Sequence, residues 1–418
     1  MILTIHRGSK EIGGSCVELR AGSTRILIDL GSPLTDEKVV VGENLKSVDA
    51  VLVSHPHGDH CGLIDQLPDG LPVYLGELTE DFIQASMIFN RKPLLKNNFR
   101  NFQNRKPFHI GCFEVTPYLM DHSSSDAFAF LIEADGKRVF YTGDFRAHGR
   151  KAKLFRAMLA HPVTNIDVML MEGTMIGREN GKYLDEESVE TAMRELMMES
   201  PGLCFLQTSP QNIDRIVSAY KACRDSGRIF VIDIYTAWIL RELHKFSKSK
   251  KTPDMNWKTI KVLSRSDLSK NHRIVLTIHK SHFGDFYKDL YSRDNVIAEG
   301  TISAHPEKYL VKTSYVERLI EETGVSASTV IYSMWEGYLE EKFNPRHFHD
   351  YVRLRNRPGV RFEKIHTGGH ATRDDLKRFA EAINSKALVP IHTQCPEQFS
   401  GIFRNVVLLA DGQEMSVP

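Results

Sequence analysis

The sequence predicts a mixed α/β protein in which one α/β domain is interrupted by a second, inserted α/β domain. Three observations lead there. Short apolar runs separated by turn signals dominate the amino-terminal part, helical periodicity alternating with short strands begins near residue 185, and strand-like runs return after Pro358-Gly359. With 418 residues the chain has length for two to three domains.

The elements follow in chain order. Cys16 to Leu19, Arg25 to Asp29 and Ala50 to Val53 read as strands, each apolar and each bounded by turn residues. Ala127 to Glu133 and Arg138 to Tyr141 flank Asp135-Gly136, the pair that closes a tight hairpin. Val168 to Met171 reads as a buried strand. Glu186 to Met198 and Asn212 to Cys223 carry helical periodicity, and Ile229 to Ile232 and Ile274 to Ile278 are the short strands between helices. Alternating helices and strands predict a parallel sheet. Ala387 to Ile391 and Val406 to Leu409 are strand-like runs assigned back to the first domain. The expected division is 1–180 for the first part of the first domain, 181–355 for the insertion and 356–418 for the return.

Composition narrows the function classes. Hydrophobic residues at 41% and charged residues at 26% describe a globular chain, without the bias of disordered or fibrous proteins. A formal net charge of +1 gives no global pull on a polyanion, so a nucleic-acid surface must be local. The six cysteines are scattered without a CxxC pair, which favours a reducing compartment. Met1 to Lys10 lacks the apolar core of a signal peptide, and no apolar run reaches the roughly 18 residues that span a bilayer. A cytoplasmic protein with no membrane contact is the expectation.

The densest chemical signal is Ser54-His55-Pro56-His57-Gly58-Asp59-His60, directly after a strand. Neutral imidazoles and a carboxylate are the donor set that suits zinc, while manganese or iron could use the same donors. His122, in Asp121-His122-Ser123, and Asp144, in Thr142-Gly143-Asp144, follow further strands. A lone histidine or a Gly-Asp turn is ordinarily structural, but their order at strand ends argues for shared use. An aspartate so placed can bridge two cations at a spacing of roughly 3.5 to 4 Å.

His-x-His-x-Asp-His, then His122 and Asp144, preceded by Asp29 in Ile28-Asp29-Leu30-Gly31, resembles the metallo-β-lactamase superfamily over about the first 175 residues. The resemblance implies an αββα sandwich. It also implies that His55, His57 and His122 hold one zinc, that Asp59, His60 and His392 hold a second, that Asp144 bridges them, and that Asp29 orients the site. Glu172 in Met171-Glu172-Gly173-Thr174, His370 in His366-Thr367-Gly368-Gly369-His370, and His392 in Pro390-Ile391-His392-Thr393 resemble motifs A, B and C of the β-CASP nucleases. A histidine at motif C, and the opening Lys10 to Cys16, are similar to the RNA-processing branch that includes ribonuclease J and the cleavage-and-polyadenylation endonuclease. By that resemblance the chain is a two-zinc phosphodiesterase that cleaves single-stranded RNA by metal-hydroxide attack. Asp59, Glu172 and His370 are then catalytic, with His370 as the general acid. The inserted domain would close over a groove that admits a single strand.

Two positions depart from that pattern. Gly368 stands where a serine would meet a 5′ phosphate, although His366 is kept, and Gly173 stands where serine is common. From Phe82 to Phe113 there is no acidic residue, and Arg91, Lys92, Lys96 and Arg100 alternate with Phe89, Phe99 and Phe102. His366, Gly368, Arg91 and Lys92 are therefore candidate phosphate contacts, weighed against a buried aromatic stripe with a solvated basic face. A second basic tract runs from Lys245 to Lys261. His148 reads as a loop residue and Cys61 as small-residue packing. A DNA nuclease of the same fold and a thioester or lactone hydrolase of the same site are the alternatives, with a non-enzymatic scaffold behind them.

Overall fold

The computed structural model describes residues 1–246, 252–263, 280–292 and 294–418. In chain order the strands begin with β1 (Ile2–Arg7), β2 (Cys16–Ala21), β3 (Thr24–Ile28), β4 (Ala50–Leu52), β5 (Pro72–Gly76) and β6 (Asn98–Phe102). Next come β7 (Phe108–Ile110), β8 (Phe113–Leu119), β9 (Phe128–Ala134), β10 (Lys137–Tyr141) and β11 (Val168–Glu172). Then follow β12 (Leu203–Gln207), β13 (Ile229–Ile232), β14 (Ile260–Leu263), β15 (Val296–Ile297), β16 (Tyr309–Lys312), β17 (Ser328–Tyr332) and β18 (Val360–Lys364). The last are β19 (Ala387–Ile391) and β20 (Glu414–Ser416).

Two compact units result. The first comprises Met1–Gln84, Leu94–Asn180 and Gly368–Pro418, and the second Ala85–Pro93 and Gly181–Thr367. The first contains two sheets, ordered β20-β1-β2-β3-β4-β5-β6 and β19-β11-β10-β9-β8-β7. Strand parity explains how they stack. Ile26 and Ile28 of β3 join Phe128, Phe130 and Ile132 of β9 and Val168 and Leu170 of β11 in one core between the sheets. The residues of opposite parity face outward. Leu27 packs with Ile64 and Ile83 on one side, and Leu131, Met169 and Met171 pack on the other with Phe155, Leu376 and Phe379 from the helices Ala152–Ala160 and Arg373–Ile383. Strands apolar on both faces need such a double cover, and the outcome is the αββα sandwich.

The hairpin forms at Asp135-Gly136, with Val139 paired to Ile132 and Tyr141 to Phe130. Asp135 takes the left-handed φ of 54° that this tight turn requires.

The second unit carries one sheet, β15-β14-β13-β16-β12-β17-β18, in which every pairing among the described residues is parallel. The helices Glu186–Glu199 and Ile213–Asp225 start at Asp185 and Asn212, whose side chains cap the backbone N–H groups of Ser188 and Arg215.

Three expectations need correction or a limit. Val406 to Leu409 is no strand; it makes a single bridge, Leu388 to Val406. The ladder stops at Leu388 because the next residue of β19 facing that edge, Pro390, has no N–H to donate. Val360–Lys364 pairs with β17, so residues 356–367 go with the second unit rather than the first. The strand expected over Ile274 to Ile278, and part of the Lys245 to Lys261 tract, lie outside the described residues.

Candidate metal centre

Six strand ends in the first unit converge on one cluster. Asp29 follows β3, the His55 to His60 loop follows β4, His122 follows β8, Asp144 follows β10, Glu172 ends β11 and His392 follows β19. Asp29 and His392 both hold left-handed backbone, φ 59° and 53°, a strain that non-glycine residues keep where the surroundings fix them.

Three groups of ligand atoms form, with atoms within 4.8 Å of one another: His55, His57 and His122; Asp59, His60, Asp144 and His392; and Asp144, Glu172, His370 and His392. His57 Nδ1 lies 3.0 Å from His55 Nε2 and 3.2 Å from His122 Nε2. A tetrahedral zinc with bonds of about 2.0 to 2.1 Å sets neighbouring nitrogens about 3.3 Å apart. Burial and the neighbouring histidines push the His55 and His122 imidazoles well below their usual pKa, and burial also lowers His57. All three therefore stand as neutral donors.

Hydrogen bonds on the far ring nitrogens aim these donors. His122 Nδ1 donates to the Gly369 carbonyl at 2.6 Å, leaving Nε2 as the lone-pair donor. His60 Nδ1 donates to Asp29 Oδ2 at 2.7 Å, which turns Nε2 toward Asp144 Oδ2 at 3.2 Å. His60 Nε2 and Asp144 Oδ1 are buried and have no hydrogen-bond partner among the described residues. Buried polar atoms left so are costly unless a cation satisfies them, so the donor set fits a divalent metal.

Burial opposes the charged forms of Asp59, Asp144 and His60, yet in each case the surrounding charges win. His392 and His60 hold the Asp59 and Asp144 carboxyls low, while Asp144 and Asp29 hold the His60 imidazole well above its usual pKa.

His370 stands beside this cluster, its Nδ1 3.1 Å from Glu172 Oε2 and 3.6 Å from Asp144 Oδ2. Burial disfavours its charge, but Glu172 and Asp144 outweigh burial and raise it to about 9. Glu172 is held in turn by the backbone N–H groups of Phe145 and Thr174, each at 3.2 Å.

Residues 24–198 match the family model described as the β-lactamase superfamily domain. The chain is also 22% identical to ribonuclease J of Mycoplasma genitalium over 414 residues, covering 92% of this chain and 66% of the other. The chain thus carries a β-lactamase superfamily domain and is similar, over most of its length, to ribonuclease J proteins.

It is 33% identical over 189 residues to an RNase J-like protein of Methanocaldococcus jannaschii, covering 42% of each chain. It is 21% identical to ribonuclease J of Helicobacter pylori, strain B128, over 98% of this chain and 60% of the other. The chain thus spans between about two fifths and two thirds of these relatives' lengths. A crystal structure of a protein of unknown function from Enterococcus faecalis V583 superposes with a TM-score of 0.74 over 99% of both chains at 20% identity, a likeness of fold. No described helix is long and apolar enough to cross a membrane.

The β-CASP motif residues do not all fall in one unit. Glu172, Gly368, His370 and His392 lie in the first, with every metal-ligand candidate, whereas His366, Arg91 and Lys92 lie in the second. His366 Nδ1 meets the buried Arg215 guanidinium at 3.0 Å. Arg91 and Lys92 are exposed just after the helix Glu77–Phe89. The aromatics interleaved with them pack rather than stand free. Phe102 is core, Phe99 packs beside Val73, and Phe89 stacks on Tyr235. The buried-stripe reading therefore holds for those rings. Cys61 is core, its thiol donating to the His57 carbonyl.

Four site residues escaped the sequence reading. Ser54 and Tyr141 each donate a hydroxyl hydrogen bond to Asp29 Oδ2, at 2.8 and 2.7 Å. Thr174 Oγ1 lies 2.9 Å from His392 Nδ1, and Lys151 donates to the His122 carbonyl at 2.8 Å. Tyr141 could have been found by parity, since it shares the inward face with Val139 and ends its strand beside Asp144.

Proposed function

We propose that the protein is a metal-dependent ribonuclease that cleaves single-stranded RNA, with two zinc ions as cofactors. His55, His57 and His122 would hold one, and Asp59, His60 and His392 the other, with Asp144 between them. Bound there, the cations would activate water and neutralise the non-bridging phosphate oxygens. The protein's own groups supply the rest. His370, charged through Glu172 and Asp144, donates a proton from Nε2 to the departing 3′ oxygen. Glu172 holds Nδ1 and restores the charge, while Asp59 fixes the ligand set through His392, 3.3 Å away.

The observation that carries this reading is the pairing of His370 with Glu172 beside the ligand cluster. A thioester expels a thiolate, which needs no dedicated acid, whereas the 3′ oxygen leaves as an alkoxide and does. The names of the relatives, ribonuclease J and RNase J-like protein, point the same way.

The test is a side-by-side assay of the metal-loaded protein on single-stranded RNA and DNA of one sequence, and on a thioester and a lactone. RNA is expected to be cut fastest. Preferred cleavage of DNA, or turnover of the esters with RNA left intact, would replace this reading with one of the alternatives.

A further inference from the structure

The segment Arg146 to Lys151, which follows Asp144, grips two loops of the site at once. Arg146 is fully buried and its Nη1 donates to the Gly368 carbonyl at 2.8 Å. His148 Nε2 donates to the same carbonyl at 3.1 Å. On the other loop, the Gly149 N–H donates to Asp121 Oδ2 at 2.9 Å, and Lys151 donates to the carbonyls of His122 and Ser124, each at 2.8 Å.

The gripped loop has reason to need it. An added Cβ on Gly369 would sit 3.1 Å from His122 Cε1, so the close approach that lets the Gly369 carbonyl orient His122 favours glycine. Gly368-Gly369 is correspondingly soft, since glycine keeps the most backbone freedom. The next residue is His370. Two donors on the single Gly368 carbonyl remove that freedom, and placing an arginine in the interior is costly unless its bonds are used.

We propose that Arg146, assisted by His148, is a positioning residue that locks the Gly368-Gly369-His370 loop, and so fixes both the ring of His122 and the place of His370. The proposal rests on the ribonuclease reading for the role of His370, but its effect on His122 does not.

The test uses the full chain as Arg146→Met, Arg146→Lys and His148→Ala, the last at a partly exposed site that spares the fold. Metal retention is measured by chelator competition, alongside kcat and KM on single-stranded RNA and the thermal unfolding midpoint. Outer ligand partners typically matter by about 10- to 100-fold in metal affinity or activity. Arg146→Met is expected to lose metal at a 10- to 100-fold lower chelator concentration and to lose kcat similarly with KM within about twofold. Arg146→Lys should recover most of both, and His148→Ala should show a smaller loss in the same direction. Unchanged metal retention in Arg146→Met and His148→Ala overturns the proposal, as does a loss that merely tracks unfolding and is not rescued by lysine. If the wild type leaves RNA intact, the ribonuclease reading fails, and metal retention alone decides this inference.

Discussion

His370 Nδ1 and Glu172 Oε2 lie 3.1 Å apart, one at the end of a glycine pair and the other at the end of the buried strand β11. The carboxylate is 1% exposed and held by two backbone N–H groups, so it has one orientation to offer. The pair converts a histidine that burial would neutralise into one that keeps its proton.

If His370 acts as the proposed acid, removing it should cost rate rather than binding. His370→Ala is expected to lower kcat on RNA by about 10²- to 10⁴-fold, with metal content unchanged. Glu172→Gln should fall between that variant and wild type. Steady-state kinetics with metal analysis on each preparation checks both; wild-type kcat in His370→Ala would remove the acid from the mechanism.

The same pair makes stability depend on pH in the metal-free chain. His370 is raised from 6.5 to about 9, so its contribution is complete below about pH 6.5 and disappears as pH climbs through 9. The rise corresponds to on the order of 3 kcal/mol. Denaturant melts of metal-free wild type and His370→Gln should differ most near pH 6 and converge above pH 9. A gap that widens with pH would contradict the assignment.

Metal binding should release protons. His60 is held well above its usual pKa by Asp144 and Asp29, so its Nε2 is protonated in the metal-free chain at neutral pH. To serve as the proposed metal ligand, Nε2 must give that proton up. Calorimetric zinc titrations in buffers of different ionisation enthalpy should return a net release of about one proton or more at pH 7, against the buffer-independent heat expected if His60 were already neutral.

Two glycines that depart from the family motifs should respond differently to serine. A Cβ on Gly173 would lie 2.4 Å from the Phe399 ring and 3.0 Å from Thr393 Cβ, whereas the nearest atom to one on Gly368 is His370 N at 3.9 Å. Gly173→Ser should cost roughly 1 to 3 kcal/mol through overpacking, and Gly368→Ser less than about 0.5 kcal/mol. Thermal unfolding of the two variants decides it. Phe399 thus accounts for glycine at position 173, and nothing in the structure explains the one at 368.

The strands and the clustering of the His and Asp donors were legible where a local rule applied. Ile26 to Asp29 and Val51 to His55 announce a buried strand ending in a polar group, and the hairpin is written in Asp135-Gly136. Legibility failed where a residue's role depends on distant partners. Tyr141 reaches Asp29 across 112 positions, and Arg146 reaches Gly368 across 222, so no window of sequence contains both ends. Val360–Lys364 failed for another reason. Its partner strand fixed its sheet, and the turn Pro358-Gly359 before it resembled a domain boundary.

The central claim is best met by one assay: 5′-monophosphorylated single-stranded RNA, labelled at either end, incubated with zinc-loaded wild type, with chelated wild type and with zinc-loaded His370→Ala, the metal content of each being measured. The account predicts cleavage by the loaded wild type alone. Intact RNA in the presence of wild-type protein holding two metal equivalents would contradict it.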